Sequence, residues 1–293
     1  GSDSNDTHTT YGGTGGVPIG STFRRLLYSI KFGSSSFLLS GRMNENSQIL
    51  YDRTPRERVE KVAPWLTLDD DAYPVVVDGR ILWVLDGYTT TDRYPGAEKD
   101  SFKEMTDDVL QQDTGLRTLP TDQINYMRNA VKATVDAYDG TVRLYAWDES
   151  DPILHAWSKV FPGTVLPRSA IPDDLKPHLR YPEDLFKVQR FQLAKYHVTD
   201  ARAFQQGSDW WQVPEDPNST VPHLMAPYRM FLDAPGSDKE VWSLSTTFTP
   251  TKRNTLSAVM TVNSDATSKD FGKIQVLERP DQVTQGPSRW WPT

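Results

Sequence analysis

Residues 73–94 read YPVVVDGRILWVLDGYTTTDRY and contain the longest uninterrupted apolar run of the chain, residues 81–85. Asp78-Gly79 precedes this run, and an Asp-Gly pair favours a two-residue hairpin turn because both positions take a positive φ. A second pair, Asp86-Gly87, predicts another turn before the threonines at 89–91. The stretch therefore predicts a three-stranded antiparallel meander whose middle strand is apolar on both faces and covered on each.

A second hairpin is predicted from residues 131–146. Apolar residues alternate with Lys132, Thr134 and Asp136, and the alternation resumes beyond Asp139-Gly140. Alternation with a period of two indicates strands with one apolar and one polar face. We expect this hairpin to join the sheet begun by the first.

Helices and further strands complete the pattern. A helix is predicted from Ser21 to Gly33, with an apolar stripe formed by Phe23, Leu26, Leu27 and Ile30. Other helices are expected to begin near residues 54, 151, 182 and 200, and strands are expected near 228–233, 240–248, 256–262 and 273–278. This mixture without regular βαβ spacing predicts an α+β fold, with a mostly antiparallel sheet built from Asp-Gly hairpins and covered by helices.

The domain organisation follows from composition. Residues 1–20 are rich in Ser, Thr and Gly and predict a flexible linker. Residues 21–227 are expected to form the α+β core, and residues 228–280 the C-terminal strands of the same or an adjoining lobe. Residues 281–293 are expected to be a tail.

Composition excludes several function classes. A formal charge of −7 and a pI near 5.3 argue against a nucleic-acid partner and disfavour an anionic lipid surface. The chain has no cysteine, which removes disulfides and thiolate chemistry. A membrane-spanning helix needs roughly 20 apolar residues, so this chain by itself is expected to span nothing.

Carboxylates are the candidate catalytic residues. Asp86, Asp92 and Asp148 lie near predicted strand ends, where loops can converge. A glycosidase needs two carboxylates at a set separation across a cleft, and sequence does not supply that distance. The turn alone would account for Asp86.

Two acidic clusters contain the oxygen ligands that a metal ion needs. They are Asp69-Asp70-Asp71 before the meander and the group Asp148, Glu149 and Asp151 after the second hairpin. Oxygen ligands of this kind suit Ca²⁺, but neither cluster has the spacing of a calcium loop, and the five histidines show no metal-ligand spacing. We therefore expect no metal site and no cofactor, with Ca²⁺ as the one ion that the clusters could hold.

Trp210-Trp211 is the candidate ligand-binding pair. Adjacent side chains point in different directions on a strand or a helix, so one ring could be exposed to stack on a sugar or pack on a partner. Burial under the proline-rich connection that follows is the alternative.

Three long segments resemble one protein family. Residues 46–95, 126–157 and 178–200 read NSQILYDRTPRERVEKVAPWLTLDDDAYPVVVDGRILWVLDGYTTTDRYP, YMRNAVKATVDAYDGTVRLYAWDESDPILHAW and HLRYPEDLFKVQRFQLAKYHVTD. They resemble the uncharacterised protein family numbered 0182, large multi-pass membrane proteins found notably in actinobacteria. The resemblance covers roughly residues 17–280.

The resemblance implies where the chain works. It implies a membrane region upstream of this chain, and a large domain on the extracytoplasmic side of the cell membrane, of which this chain would be a part. The expected partners are that transmembrane region and an envelope component or protein. Two functions are compatible with these observations: a binding, assembly or gating module, and a cell-envelope hydrolase that acts on glycans or lipids through carboxylates.

Overall fold

The computed structural model describes residues 12–41, 43–109, 121–233, 240–251, 253 and 255–278. Its helices are α1 (Thr22–Phe32), α2 (Ser36–Leu39), α3 (Pro55–Val62), α4 (Phe102–Thr106), α5 (Pro152–Val160), α6 (Glu183–Tyr196) and α7 (Ala201–Gln206). Its strands are β1 (Val17–Pro18), β2 (Gln48–Ile49), β3 (Thr67–Leu68), β4 (Tyr73–Val77), β5 (Arg80–Thr91), β6 (Asp100–Ser101), β7 (Gln123–Ile124), β8 (Tyr126–Asp136), β9 (Val142–Ala146), β10 (Val165–Leu166), β11 (Trp211–Gln212), β12 (Tyr228–Asp233), β13 (Glu240–Pro250), β14 (Ala258–Asn263) and β15 (Ile274–Glu278). The α+β prediction is confirmed.

The first sheet is built on β5 and β8. Its order is β10-β9-β8-β5-β3, with β4 also paired to β5, and all its pairs are antiparallel except β9 with β10. The turn between β4 and β5 is the predicted Asp-Gly hairpin, with φ of 48° at Asp78 and 70° at Gly79. The first hairpin is therefore confirmed.

The predicted turn at Asp86-Gly87 is wrong. Strand β5 runs straight through it to Thr91, so residues 89–91 belong to the middle strand and form no third one. The register against β8 shifts between Gly87 and Tyr88, which marks a β-bulge. A Cβ on Gly87 would lie 3.0 Å from a methyl carbon of Leu66, so close packing, and not a turn, accounts for the glycine.

The second hairpin is confirmed, but its polar face is not. Strands β8 and β9 pair as predicted, and β8 joins β5 along its length. Lys132 is only 1% exposed, and Thr134 is also buried. Both faces of the sheet are covered, one by a cluster around Leu85, Val131 and Leu144, and the other by a cluster around Tyr73, Val84, Tyr145, Leu175 and Leu179.

Local signals at the helix ends account for the helix boundaries. Ser21 caps α1 and Gly33 ends it in the left-handed conformation, while Thr54 and Glu57 form the predicted capping box of α3. Asp151 and Asp200 cap α5 and α7. These predictions are confirmed. The apolar stripe of α1, however, faces solvent.

The predicted C-terminal strands are confirmed as β12 to β15. They form a second antiparallel sheet in the order β11-β13-β14-β15, with β12 also paired to β13. Its inner face, including Leu244, Phe248 and Met260, packs against Phe186 of α6 and forms a third core cluster. Helix α6 thus covers the second sheet. Backbone N–H groups of its first turn also donate hydrogen bonds to side chains of the first sheet and of the loop after β3.

Order begins before residue 20. Strand β1 pairs with β2, and Ile19 is buried, so part of the stretch that we expected to be a linker is integrated in the fold. Residues 1–11, part of the polar stretch at 110–120 and the predicted tail at 281–293 lie outside the described residues. Within the described part of the chain, no helix has both the length and the apolar character needed to cross a membrane.

Candidate functional site

A buried ion pair lies at the centre of the first sheet. Asp86 of β5 and Lys132 of β8 face each other, with 2.5 Å between Oδ1 and Nζ, and both are almost fully buried. Asn129 donates a hydrogen bond of 2.9 Å to the same carboxylate, and Lys132 donates one of 2.7 Å to the carbonyl of Arg180. Burial raises the pKa of Asp86, and the charge of Lys132 opposes that shift. Asp86 is thus fully engaged inside the sheet.

A second buried network joins the first sheet to α6. Asp69 accepts hydrogen bonds from the hydroxyl of Tyr88 and from the backbone N–H of Asp184, the latter at 2.9 Å. In return, Asp184 accepts one of 2.9 Å from the backbone N–H of Asp70. Burial, and then the nearby charge of Asp69, raise the pKa of Asp184 to about 7. This network therefore holds two carboxyl groups in close proximity.

The three candidate catalytic carboxylates have separate partners, and two of them lie far apart. Asp92 lies just beyond the end of β5, about 20 Å from Asp86 at roughly 3.3 Å per strand residue. Glycosidase carboxylates lie about 5–10 Å apart. Asp92 forms an ion pair of 3.0 Å with Lys99, which lowers its pKa, and Asp148 forms one of 3.1 Å with Arg128. Each carboxylate thus has a separate partner.

The carboxylates within each of the two acidic clusters have different partners. Asp69 is buried, while Asp70 pairs with Arg56 at 2.6 Å and Asp71 pairs with Arg229 at 2.5 Å. In the other cluster, Asp151 caps α5 and Glu149 accepts a hydrogen bond from the backbone N–H of Arg168. Nowhere in the described ranges do three carboxylates or histidines converge in a way that could hold a metal ion. Calcium binding stays a prediction.

The two candidate tryptophans pack within the protein. Trp211 of β11 stacks on His197 with 3.6 Å between ring centroids, and it also contacts Phe248. Trp210 lies edge-on to Phe204 at 6.0 Å. Neither lines any of the three cavities described next.

A cavity of about 590 Å³, here called the arginine cavity, lies between strand β4 and the second sheet. Apolar side chains form much of its wall, and two guanidinium groups and an imidazole supply the basic groups. Its lining residues are Pro74, Val75, Val76, Pro177, His178, Leu179, Arg180, Arg229, Trp242, Ser243, Ser264 and Asp265. Its size and its mixture of apolar walls with a few polar groups are typical of small-molecule sites.

The two arginines carry the electrostatics of the cavity. Arg229 uses Nη2 for Asp71 and lies 3.6 Å from Glu183, while its Nη1 is buried and has no hydrogen-bond partner among the described residues. Arg180 lies over the ring of Tyr73, 4.2 Å from the ring centre, and no described carboxylate forms an ion pair with it. Buried N–H groups normally have acceptors. The arrangement can therefore bind an anion or another strong acceptor.

Two neighbouring cavities are weaker candidates. The α6 groove, about 720 Å³, is lined mainly by apolar side chains of α6 and the second sheet, including Leu185, Val188, Leu193, Met260 and Val276. A cavity of about 410 Å³ beside it contains Arg128, which is paired with Asp148, and Arg168, which donates a hydrogen bond to the carbonyl of Trp147. Neither combines apolar walls with a buried cationic N–H that lacks an acceptor.

No sequence motif marks the residues of the arginine cavity. They come from five separate segments, around residues 75, 179, 229, 242 and 264, and no spacing rule connects them. The local signal is weak: Tyr181-Pro182 follows Arg180, and the residue before a proline favours an extended conformation. Only the pairing of strands brings Arg229 to the loop that carries Arg180.

Comparison with known proteins decides the family. The model of the Uncharacterised protein family (UPF0182) matches residues 1–290. The chain belongs to this family. The resemblance noted in the sequence is therefore confirmed.

The relatives of this UPF0182 chain are much longer proteins. It is 59% identical to a UPF0182 protein of Nocardioides sp., 50% to one of Thermobifida fusca and 47% to one of Streptomyces coelicolor. These matches cover 99%, 95% and 98% of this chain, but only 29%, 28% and 29% of the relatives. The chain thus spans less than a third of the length of the curated relatives it matches. No solved structure matches it.

Proposed function

We propose that this chain is a ligand-binding module of an integral membrane protein, on the extracytoplasmic side, and that the arginine cavity is its binding site. The carrying observation is that two guanidinium groups, Arg180 and Arg229, line one apolar-walled cavity, and that no described carboxylate forms an ion pair with Arg180. A hydrogen bond to a charged group contributes about 1.5–3 kcal/mol, so a negatively charged ligand gains affinity beside these guanidinium groups.

The residues that line the arginine cavity indicate the chemistry of its ligand. Val76, Leu179 and Trp242 offer apolar surface, while Arg180 and Arg229 offer N–H donors. A small anionic amphiphile, with an acidic group against the arginines and an apolar body against the walls, uses both. The hydrolase alternative gains no support from the described residues, because Asp86, Asp92 and Asp148 are each engaged in an ion pair with a different basic residue.

Ligand binding is tested with decyl phosphate as the probe. We expect it to raise the melting temperature, because a ligand that binds only the folded chain stabilises it. Arg180→Gln and Arg229→Gln should each weaken binding by on the order of tenfold, as expected for loss of a charged hydrogen bond.

Controls separate the cavity from other effects. Arg128→Gln, which removes an arginine already paired with Asp148, should leave the affinity unchanged. Decanol, which lacks the charge, should bind more weakly than decyl phosphate. If both cavity variants fold and bind decyl phosphate as tightly as the wild-type chain, the arginine cavity is not the site.

The location is tested separately. The proposal places Ser208, an exposed residue after α7, outside the cytoplasmic membrane. Cysteine at the aligned position of a full-length relative should react with a membrane-impermeant maleimide in intact cells, and the parent without that cysteine serves as the control. Labelling that requires cell lysis would reject the extracytoplasmic location.

A further inference from the structure

Helix α1 exposes an apolar stripe. Phe23, Leu26, Leu27 and Ile30 recur at helical spacing, and Phe23 and Ile30 are 68% and 71% exposed. The only buried residue of the helix is Ser29. Exposed apolar side chains continue around it at Phe32, Leu38, Leu39 and Leu50. We call this surface the α1 face. Contiguous apolar patches on a folded chain mark interaction surfaces.

The charge around the α1 face is positive. Between Asp6 and Glu45 the sequence contains no acidic residue, but it contains Arg24, Arg25, Lys31 and Arg42, in a chain whose net charge is −7. Arg24 and Arg25 donate to the backbone carbonyls of residues 18, 19 and 44, and no described carboxylate forms an ion pair with Arg24, Arg25 or Lys31. The cationic charge of this segment is therefore not neutralised locally.

An aromatic cluster lies beside the stripe. The ring centroids of Tyr28, Phe32 and Tyr51 lie 5.8–6.0 Å from one another. The Nζ atom of Lys31 lies 4.1 Å from the centre of the Tyr51 ring. Tyrosine and lysine combine an apolar body with a polar end, which suits them to the boundary between hydrocarbon and water.

We propose that the α1 face docks on the surface of an anionic lipid bilayer. Apolar stripe, basic flanks and aromatic cluster are together the features of a helix that lies in the plane of a membrane interface. A second copy of the chain fits less well, because it would bring another unneutralised basic segment against the first. The overall negative charge, which disfavours a lipid partner for the chain as a whole, does not describe this face.

This inference rests on the proposed location beside a membrane, but it uses a different surface from the arginine cavity. Co-sedimentation with vesicles tests it. We expect the chain to sediment with vesicles of phosphatidylglycerol and phosphatidylcholine in equal parts, and much less with pure phosphatidylcholine, because each basic residue near an anionic surface adds about 1 kcal/mol.

Variants assign the binding to the α1 face. Phe23→Ser/Ile30→Ser should lower the partition coefficient by on the order of tenfold, since less apolar surface enters the interface. Arg24→Gln/Lys31→Gln should lower it roughly thirtyfold on the anionic vesicles, because two basic residues are lost. The matched control is Val160→Ser/Phe161→Ser, which removes one β-branched and one aromatic side chain that are also exposed, at the end of α5. It should bind as the wild-type chain does.

Other results would overturn the proposal. A chain that stays in the supernatant with both vesicle types does not dock on lipid, and neither does one whose control variant loses as much binding as the stripe variant. A dimer in solution that Phe23→Ser/Ile30→Ser dissociates would assign the face to a second copy. Decyl phosphate binding tests the arginine cavity and not the α1 face. If the chain binds decyl phosphate but no vesicles, only the membrane inference is wrong. Arg180→Gln should leave vesicle binding unchanged.

Discussion

Replacing Lys132 by methionine is expected to lower the free energy of unfolding by about 3–5 kcal/mol, because it leaves the carboxylate of Asp86 buried without its cation. Lys132 is 1% exposed, so water does not reach the site to compensate. Typical domains are stable by only about 5–15 kcal/mol, and this loss is a large part of that range. Urea unfolding followed by circular dichroism measures it.

The control is the double variant Asp86→Asn/Lys132→Met. Asparagine still accepts the hydrogen bond from Asn129 and carries no charge, so most of the lost stability should return. If the double variant is no more stable than Lys132→Met, the cost comes from lost packing or from the lost bond to the carbonyl of Arg180.

The second large effect is a dependence of stability on pH. The pKa of Asp184 is about 7 in the folded chain and about 4 in an unfolded one. Between these values the folded chain holds a proton that the unfolded chain has lost, so the free energy of unfolding falls as the pH rises from about 4 to about 7. The change is roughly 4 kcal/mol at about 1.4 kcal/mol per pKa unit.

Asp184→Asn tests the assignment. Asparagine still accepts a hydrogen bond from the N–H of Asp70 but never carries the charge that Asp69 repels. Burial also raises the pKa of Asp86 and Glu183, so a shallower slope should remain. Melting temperatures measured from pH 4 to pH 8 should therefore fall less steeply in the variant, which should be the more stable chain at pH 8. Parallel curves for the two proteins would show that Asp184 does not titrate in this window.

Short-range signals predicted much of the fold. Asp78-Gly79 predicted a hairpin because its two positive φ angles are a local requirement, and the caps at Ser21 and Thr54 were equally local. Asp86-Gly87 has the same two residue types but a different structural role. The glycine leaves space for Leu66, and the aspartate forms an ion pair with Lys132 of the neighbouring strand. Sequence does not distinguish these cases, since the neighbours that decide are distant in the chain.

The candidate site was beyond prediction for the same reason. The alternation of apolar and polar residues predicted that Lys132 faces solvent. A lysine inside a sheet requires a buried partner, and only the register of β5 against β8 brings Asp86 to it. The carboxylates predicted as catalytic or metal-binding candidates are engaged in helix caps, hydrogen bonds and ion pairs. The arginines that line the cavity stand in segments without any motif, and Arg229 reaches Asp71 across 158 positions of sequence.

The bond from Lys132 to the carbonyl of Arg180 has a consequence for recognition. The loop that carries Arg180 cannot swing outward without taking an acceptor from an ammonium group that is sealed from solvent. The wall of the arginine cavity formed by this loop is thus preorganised, so the proposed ligand would lose little affinity to ordering it.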